Sequence, residues 1–397
     1  MAPDGTRRAG LTARAGLYFV LLFGAVNLFA DFSYEGARSV SGPFLALLGA
    51  SGFVAGAVGG LGELSGYALR LVSGRWADRS HRYWLITGLG YLLQMTVIPL
   101  LALAASWQAA AGLILLERMG KAIRNPPRDV MLSEAGRHMG VGWAFGINEA
   151  LDQLGAFLGP LAVAAIYALR HDYRSAFVWL AAPGAVVLLL VLSARLTFPE
   201  AGRIAPEAHA SDDGAYPRLF WWYAAGAALV GFGFADYALI AFHFAKSHAL
   251  AATAIPVAYA FSMLTGGAGA LLFGRLFDRF GLIVLLPAIF VCAFFAPLAF
   301  LGAGWVAIAG VLLWGLGLGV QESVMSAAVA AMIPAKRRGA AYGIFTAIFG
   351  AAWFLGSALE GALYDISIPA LVALSVVAQL AAIPVIAKAA RGLGGRR

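Results

Sequence analysis

Long apolar runs alternate with short polar breaks along almost the whole chain. Each run stays apolar over about 20 residues, the length that a helix needs to cross a bilayer. Strands of a membrane barrel would instead alternate apolar and polar side chains over about 10 residues. The pattern therefore predicts an all-α membrane protein with 12 transmembrane helices. The predicted spans are 15–37, 47–72, 83–104, 107–128, 140–163, 174–194, 219–243, 252–274, 281–302, 305–328, 340–363 and 369–388.

The longest polar break lies near the midpoint of the chain and contains three prolines. It predicts an N-terminal six-helix half (1–194), a cytoplasmic linker (195–218) and a C-terminal six-helix half (219–397). The motif Gly-Arg-x-x-Asp-Arg at 74–79 returns at 274–279, and Gly146-Ile147 returns as Gly343-Ile344. Because the copies keep the same chain direction and nearly the same offset, the two halves are predicted to form a parallel pseudo-repeat.

Basic residues are distributed unequally between the two predicted sides of the membrane. Of the 28 lysines and arginines, 20 fall in the terminal segments and the even-numbered loops. The opposite side receives Arg38, Arg170, Arg174 and Lys246. Since basic loops remain in the cytoplasm, both termini are predicted to be cytoplasmic, in a multi-pass protein of the plasma (cytoplasmic) membrane. The same bias explains the net charge of +8 without a nucleic-acid partner.

Composition narrows the classes of function. Hydrophobic residues make up 61% of the chain and charged residues 12%, which excludes a soluble globular domain and a disordered chain. A single cysteine, Cys292, and the lack of two histidines at i,i+4 argue against a disulfide framework and a zinc site. Nucleotide-binding, Gly-x-Ser-x-Gly and His-Glu-x-x-His motifs are also missing. We expect no enzyme activity, no cofactor and a monomer in the bilayer.

The loop at 74–82, Gly-Arg-Trp-Ala-Asp-Arg-Ser-His-Arg, resembles the cytoplasmic signature of the major facilitator superfamily. His81 stands where a second glycine is common, and the copy at 274–281 keeps that glycine as Gly281. The resemblance covers essentially the whole chain. It implies two six-helix halves that rock about a central cavity and carry a small molecule by alternating access.

Spans 4 and 5 carry two further likenesses to this family. The motif residues of span 5, similar to those of proton-linked antiporters, are Gly146, Gly155, Gly159 and Pro160. The usual closing Gly-Gly is replaced by Val163-Ala164. Small residues four apart also let helices approach closely in lipid, so a packing role is an equal interpretation. In span 4, Arg118 resembles the family's membrane-embedded arginine.

Two repeated loops are candidates for a conformational latch. An acid flanked by arginines at a helix end can form charge-assisted bonds with a neighbouring helix terminus and so hold one of two states. The alternative is that these arginines only follow the charge bias between the two sides. The latch candidates are Gly74, Asp78, Arg79, Gly274, Asp278 and Arg279.

Ionisable groups inside spans are costly in lipid and mark functional sites by default. The candidates for substrate binding or proton coupling are Asp31, Glu35, Glu117, Arg118, Lys121, Glu149, Asp152, Asp236 and Glu322. Since an unpaired charge is unfavourable in hydrocarbon, we expect Arg118 or Lys121 to pair with Glu149 or Asp152. This pairing could be structural or could serve substrate and proton chemistry.

Four positions have a surface interpretation as well. Pro126-Pro127 could end span 4 early, which would leave Lys121 and Arg124 near the cytoplasmic surface. Glu35 is expected at a hydrated rim, and His243 at an exposed helix end.

Together these features predict a secondary active transporter whose partners are a small-molecule substrate, protons and the lipid bilayer. The embedded acids favour proton coupling, and the span 5 motif favours efflux by antiport. The basic cluster of span 4 favours an anionic or zwitterionic solute. Proton-coupled import of an organic anion or polar nutrient stays open. Efflux of a lipophilic cation also stays open, and would fit better if Glu149 and Asp152 neutralise the span 4 cluster.

Overall fold

A computed structural model describes residues 13–138, 140–202, 216–334 and 337–394. Within these ranges the secondary structure is helical and includes no strand, which confirms the predicted all-α class. The helices are α1 (Ala13–Leu47), α2 (Gly52–Ser80), α3 (Tyr83–Leu100), α4 (Trp107–Ala135), α5 (Val141–Arg170), α6 (Tyr173–Trp179), α7 (Ala181–Thr197), α8 (Arg218–Phe232), α9 (Tyr237–Ser247), α10 (Ala254–Phe280), α11 (Leu285–Cys292), α12 (Phe295–Leu301), α13 (Trp305–Val320), α14 (Ser326–Met332), α15 (Arg338–Ile366) and α16 (Ile368–Gly394). Most of the predicted linker, 203–215, lies outside the described residues, as do Arg7, Arg8 and Lys336.

Nine helical segments of the described chain are long and apolar enough to cross a bilayer. One of them, Ala254–Leu301, contains two of the spans that the sequence pattern predicts. The helices α2 and α4 are not among the nine. These two helices carry glycines and embedded charges, so their stability in the membrane depends on contacts with other helices rather than with lipid.

The helix α1 continues ten residues beyond its predicted end at residue 37. Arg38 therefore lies inside a helix and is largely buried, and its placement in a loop was wrong. The sequence does not show the partners of Arg38, so its charge alone indicates the end of the span. Here Glu63 and Asp236 each accept from the Arg38 guanidinium at 3.3 Å, which makes its burial possible.

The helix α4 runs through Pro126 and Pro127 to Ala135, so the predicted early end of span 4 was wrong. Proline at position 126 has no N–H to donate to the carbonyl of Ala122. The hydroxyl of Ser73 in α2 donates to that carbonyl instead, at 3.0 Å. A neighbouring helix thus supplies the missing donor, as bilayer-embedded backbone requires.

Predicted span 7 is broken at residues 233–236, hereafter the α8–α9 break. Asp236 accepts from the backbone N–H of Ala238 at 2.9 Å and so caps α9. The Ala235 carbonyl accepts from the indole of Trp314 at 2.9 Å. Predicted span 10 is also irregular, because a π-helical segment, Gln321–Met325, separates α13 from α14.

Two of the three motif glycines of α5, Gly155 and Gly159, lie where two backbones meet. A Cβ placed on Gly155 or Gly159 would come within 2.1 Å of a carbonyl oxygen of α1, that of Leu28 or Phe32. The contact recurs in the second half of the chain, where a Cβ on Gly356 of α15 would lie 1.9 Å from the Phe232 carbonyl oxygen. Packing therefore requires glycine at these positions, whatever else the motif does.

Gly159→Val is expected to lower the stability of the folded protein by about 1–3 kcal/mol, because the added methyl groups overlap the backbone of α1. Gly146→Val is the matched control, since a Cβ on Gly146 meets no atom within 4 Å. Thermal unfolding of the two purified variants in detergent compares them directly. Equal midpoints would show that α1 and α5 do not pack through Gly159.

Candidate functional site

A cavity of about 650 Å³ lies at the centre of the helix bundle. Its walls are contributed by α1, α4, α5, α10, α13 and the π-helical segment. The lining residues are Asp31, Glu35, Arg38, Lys121, Gly146, Glu149, Ala150, Asp152, Gln153, Ala156, Met263, Gly266, Gly267, Ala270, Leu271, Leu318, Gly319, Glu322 and Ser323.

The cavity extends toward the end of the bundle where α2 and α10 end and α3 begins, hereafter the basic-loop end. Its lining reaches Gly146, near the first turn of α5, and Leu271, in the second half of α10. A Cβ on Gly74 of α2 would meet no side chain closer than 3.5 Å, and one on Gly274 of α10 meets nothing within 4 Å. The packing around these two glycines is accordingly loose.

The opposite end of the bundle is closed by tight contacts. A Cβ on Gly42 of α1 would lie 2.0 Å from the Ala238 carbonyl oxygen of α9. The carboxylate of Asp365, at the end of α15, accepts from the backbone N–H groups of Gly52 and Phe53 at 2.8 and 2.9 Å. Because these N–H groups begin α2, Asp365 caps a helix that starts 313 residues away along the sequence.

The latch candidates sit at the basic-loop end, where one side-chain hydrogen bond joins α2 to α3. Asp78 of α2 accepts from the hydroxyl of Tyr83, the first residue of α3, at 3.1 Å. In the ranges that the structure describes, no ion pair reaches Asp78, Arg79, Asp278 or Arg279. The latch therefore stays a prediction.

Buried charges around the cavity form one connected network. Arg38 contacts the carboxylates of Glu63 and Asp236 at 3.3 Å and that of Glu35 at 4.0 Å. Arg118 contacts Glu63 at 3.1 Å, so Glu63 joins the two arginines. Since Asp236 belongs to the α8–α9 break, the network connects α1 with the C-terminal part of the chain.

The cations of α4 continue this network along α1. Arg118 is hydrogen-bonded to the Tyr34 hydroxyl, and Lys121 lies 3.8 Å from the centre of the Tyr34 ring. Lys121 also lies 3.5 Å from Asp31 and 4.0 Å from Glu35. Both cations thus find their partners on α1 and α2.

Arg124 is the most buried cation of the network, with no side-chain exposure. Its guanidinium contacts the carboxylate of Asp31 at 3.4 Å, the Gln94 amide oxygen at 2.7 Å and the Tyr91 hydroxyl at 2.9 Å. Gln94 in turn donates to Glu117 at 2.6 Å, so Glu117 is engaged with α3 and does not line the cavity. Gln94 and Tyr91 were not sequence candidates, because neutral polar residues give little signal in an apolar span.

The expected pairing of Arg118 or Lys121 with Glu149 or Asp152 was wrong. Glu149 accepts from Gln153 at 3.0 Å, one turn along the same helix. Asp152 comes within hydrogen-bonding reach of Asp31. The reason is geometric: α4 packs against α1 and α2, which offer nearer carboxylates than α5 does.

Two expected surface residues are buried. Glu35 is 6% exposed and accepts from the Tyr259 hydroxyl at 2.5 Å, so its placement at a hydrated rim was wrong. His243 is 3% exposed and lies against Tyr364 and Phe300, so its placement at an exposed helix end was also wrong. Both errors arise because distant helices cover positions that are terminal in their own span.

Six of the nine sequence candidates line the cavity, namely Asp31, Glu35, Lys121, Glu149, Asp152 and Glu322. Arg118, Glu117 and Asp236 lie outside its lining. Arg38 lines it but was not a candidate. In the described chain, Glu149, Asp152 and Glu322 have no ion-pair partner, so the unbalanced charge of the cavity is negative. No three His, Cys, Asp or Glu side chains of this part are arranged to hold a metal ion.

The sequence matches the family model of the Major Facilitator Superfamily over residues 21–357. The chain belongs to this superfamily. Major facilitator proteins are transporters, so this one is a multi-pass integral membrane protein of a transporter family. An uncharacterized protein of Mycobacterium tuberculosis is 41% identical over 372 residues, covering 92% of this chain and 91% of the relative. An uncharacterized MFS-type transporter of Methanocaldococcus jannaschii is 32% identical over 171 residues, 43% of each chain.

Solved structures share the major facilitator fold. The nucleoside transporter NupG superposes with a TM-score of 0.74 at 14% identity, covering 92% of this chain and 98% of that one. A bacterial homologue of the lysosomal transporter Spinster, in an inward-facing and unoccupied conformation, gives 0.70 at 16% identity, with coverage of 95% and 96%. At these identities the likeness describes the fold and does not extend to the substrate.

Arg124→Ala is expected to destabilise the folded protein by about 3–5 kcal/mol, because it removes one partner of a buried ion pair. Arg137→Ala is the matched control, since Arg137 is 61% exposed and pairs with Glu134 at 2.9 Å. Such an exposed pair contributes about 0–1 kcal/mol. Thermal unfolding in detergent should therefore separate the two variants clearly, and similar losses would contradict the buried network.

Proposed function

We propose that this transporter is a secondary transporter that works by alternating access and exports an organic cation in exchange for protons. Its two six-helix halves, 1–194 and 219–397, would rock about the central cavity as a 12-helix parallel pseudo-repeat, joined by a cytoplasmic linker, 195–218. The recurrence of the Gly159–Phe32 contact as Gly356–Phe232 supports this division. We expect it to act as a monomer in the plasma membrane.

The proposed orientation places both termini and the basic-loop end in the cytoplasm. The excess of lysine and arginine in the loops of that end supports it. Burial of Arg38 removes one of the four basic residues assigned to the other side. The excess of lysine and arginine on the proposed cytoplasmic side therefore becomes larger. Under this orientation the cavity faces inward, and the end closed by Asp365 faces outward.

The observation that carries the substrate class is the negative balance of the cavity. Lys121 and Arg38 are neutralised by Asp31, Glu35 and their neighbours, whereas Glu149, Asp152 and Glu322 are not. Carboxylates without counter-charges on the wall of a cavity favour a cation and disfavour an anion. We therefore propose a cation in place of the anionic solute that the basic cluster of span 4 suggested.

The apolar part of the lining adds a second requirement. Met263, Leu271 and Leu318 lie in the same cavity as the carboxylates. A lipophilic organic cation buries apolar surface against these side chains while its charge meets the acids. A zwitterion is the second candidate, because Lys121 lines the same cavity and is 21% exposed.

Proton exchange follows from competition for the same carboxylates. A cation entering from the cytoplasm displaces protons from the acids, and the loaded cavity then opens outward. Protons bind there, neutralise the acids and release the cation. Asp31 and Asp152 are well placed for a shared proton, because two carboxyls in hydrogen-bonding reach cannot both be ionised without strong repulsion. The inward proton gradient would then drive efflux.

A thermal-stability panel on the purified protein tests the substrate class. Tetraphenylphosphonium is expected to raise the unfolding midpoint, since a ligand at 100 times its Kd stabilises the folded state by about 2.7 kcal/mol. The rise should shrink as the pH falls and should be lost in the triple variant Glu149→Gln, Asp152→Asn, Glu322→Gln. Glu134→Gln, a carboxylate outside the cavity, is the matched control. Stabilisation by benzoate that is lost in Lys121→Ala would contradict a cation site.

Asp365→Asn is expected to favour opening at the outward end, because the amide has one acceptor oxygen for the two N–H groups and lacks the charge that a helix N-terminus favours. The reporter is Ser357→Cys, at a fully buried position of α15, in a Cys292→Ser background. In intact cells, a membrane-impermeant maleimide should label this reporter cysteine several-fold faster when Asp365 is replaced by Asn. Asp172→Asn, which removes a carboxylate cap of α6 inside one half, should leave the rate unchanged. Equal rates in both variants would show that Asp365 does not hold this end closed.

A further inference from the structure

Glu360 of α15 is a buried acid that the cavity does not include. Its side chain has no solvent exposure, and within the described chain neither carboxyl oxygen has a hydrogen-bond donor. It lies one turn after Gly356, whose close contact with the Phe232 carbonyl presses α15 against the end of α8. An ionised carboxylate is rarely tolerated in such a place without donors or a cation.

The neighbouring polar groups are already engaged with the α8–α9 break. The Ser375 hydroxyl lies beside the Glu360 carboxyl, but it donates its hydrogen to the Gly233 carbonyl at 2.5 Å. Gln379 donates to the same carbonyl at 3.0 Å. Ser375 has one hydrogen, so while it is bonded to Gly233 it can only accept from Glu360.

No charge from the surrounding helices compensates Glu360. The charged or titratable side chains of α2, α8, α15 and α16, which pack together here, and of the α8–α9 break and α9, are Glu63, Tyr67, Arg70, Arg75, Asp78, Arg79, Arg218, Tyr223, Asp236, Tyr237, His243, Lys246, Arg338, Tyr342, Tyr364, Asp365, Lys388 and Arg391. In the described residues none of them forms a hydrogen bond or ion pair with Glu360. A neutral carboxylic acid is the form that fits this site, with its O–H donated to the Ser375 oxygen.

We propose that Glu360 is a second proton-binding site, separate from the cavity, whose proton holds the α8–α9 break through Ser375. In the protonated state the chain of bonds runs from the Glu360 O–H to Ser375 and from the Ser375 O–H to the Gly233 carbonyl. When the O–H bond of Glu360 breaks, the proton passes to water and the carboxylate becomes the better acceptor. The Ser375 hydroxyl then turns to the carboxylate, which leaves the Gly233 carbonyl with Gln379 alone.

The break transmits this change to the contact between α1 and the C-terminal part of the chain. Gly233 and Asp236 bound the same four-residue segment, and Asp236 holds Arg38 at 3.3 Å. Loss of the Ser375 bond at Gly233 therefore weakens the segment that positions Asp236, and with it the Arg38 network and the start of α9. The proton on Glu360 thereby couples to alternating access, a step that rests on the proposed function.

Infrared difference spectroscopy of the purified protein tests protonation without any transport assay. Wild type minus Glu360→Gln should show the carbonyl-stretch band of a protonated carboxylic acid, and this band should disappear at high pH. Ser375→Ala removes the acceptor and should shift the band without abolishing it. Absence of the band, or a band unaffected by Ser375→Ala, would overturn the assignment. Glu134→Gln is the control for a carboxylate with access to solvent.

Transport in proteoliposomes separates a proton site from a structural acid. Glu360→Gln keeps a donor toward Ser375, so tetraphenylphosphonium exchange without a gradient should stay within about twofold of wild type. Uptake driven by a pH gradient should fall more than tenfold, because the variant cannot release a proton. Gradient-driven uptake equal to that of wild type would overturn the proposal. Failure of the wild type to exchange the cation would refute the proposed function and the coupling of Glu360 to transport, and the infrared result would still decide the proton site.

Discussion

The cost of placing charge in hydrocarbon is the constraint on which the rest of this structure depends. Arg38, Arg118 and Arg124 are almost fully withdrawn from solvent in the centre of a bundle whose outer surface is apolar. Each must therefore find carboxylates or polar oxygens on neighbouring helices. Their partners lie on α1, α2, α3 and the α8–α9 break, so neutralising these charges also decides which helices meet. The glycine contacts then bring those helices close enough for the pairs to form.

The same constraint explains the character of the cavity. Acids on α1 and α2 neutralise the cations of α4, and this leaves the acids of α5 and of the π-helical segment without counter-charges. A cavity with surplus carboxylates attracts cations and protons to the same place, and competition between them contributes to the coupling of their movements. The irregular backbone supports this arrangement, since π-helical turns in long helices frequently occur at functional sites. Glu322 projects from such a turn into the cavity.

Irregular backbone inside the membrane is tolerated here only where a neighbour satisfies it. Ser73 replaces the donor that Pro126 lacks, and Trp314, Ser375 and Gln379 bind the carbonyls of the α8–α9 break. Each of these contacts couples a local distortion to a second helix. A transporter that changes shape must break or exchange some of them, and hydroxyl groups can exchange acceptors by rotating about one bond. Ser375 is placed for such an exchange, between Gly233 and Glu360.

The sequence by itself determined the helical class, the approximate positions of the membrane runs, the family and the positions of most embedded charges. These properties depend on local sums of hydropathy and on short motifs, so they can be read without knowing which helices are neighbours. The partner of each charge was decided only by the tertiary structure. Arg38 meets Asp236 after 198 residues, and Glu35 meets Tyr259 after 224. No local pattern encodes such distances, because the free energy of a buried charge depends on the helices that pack around it.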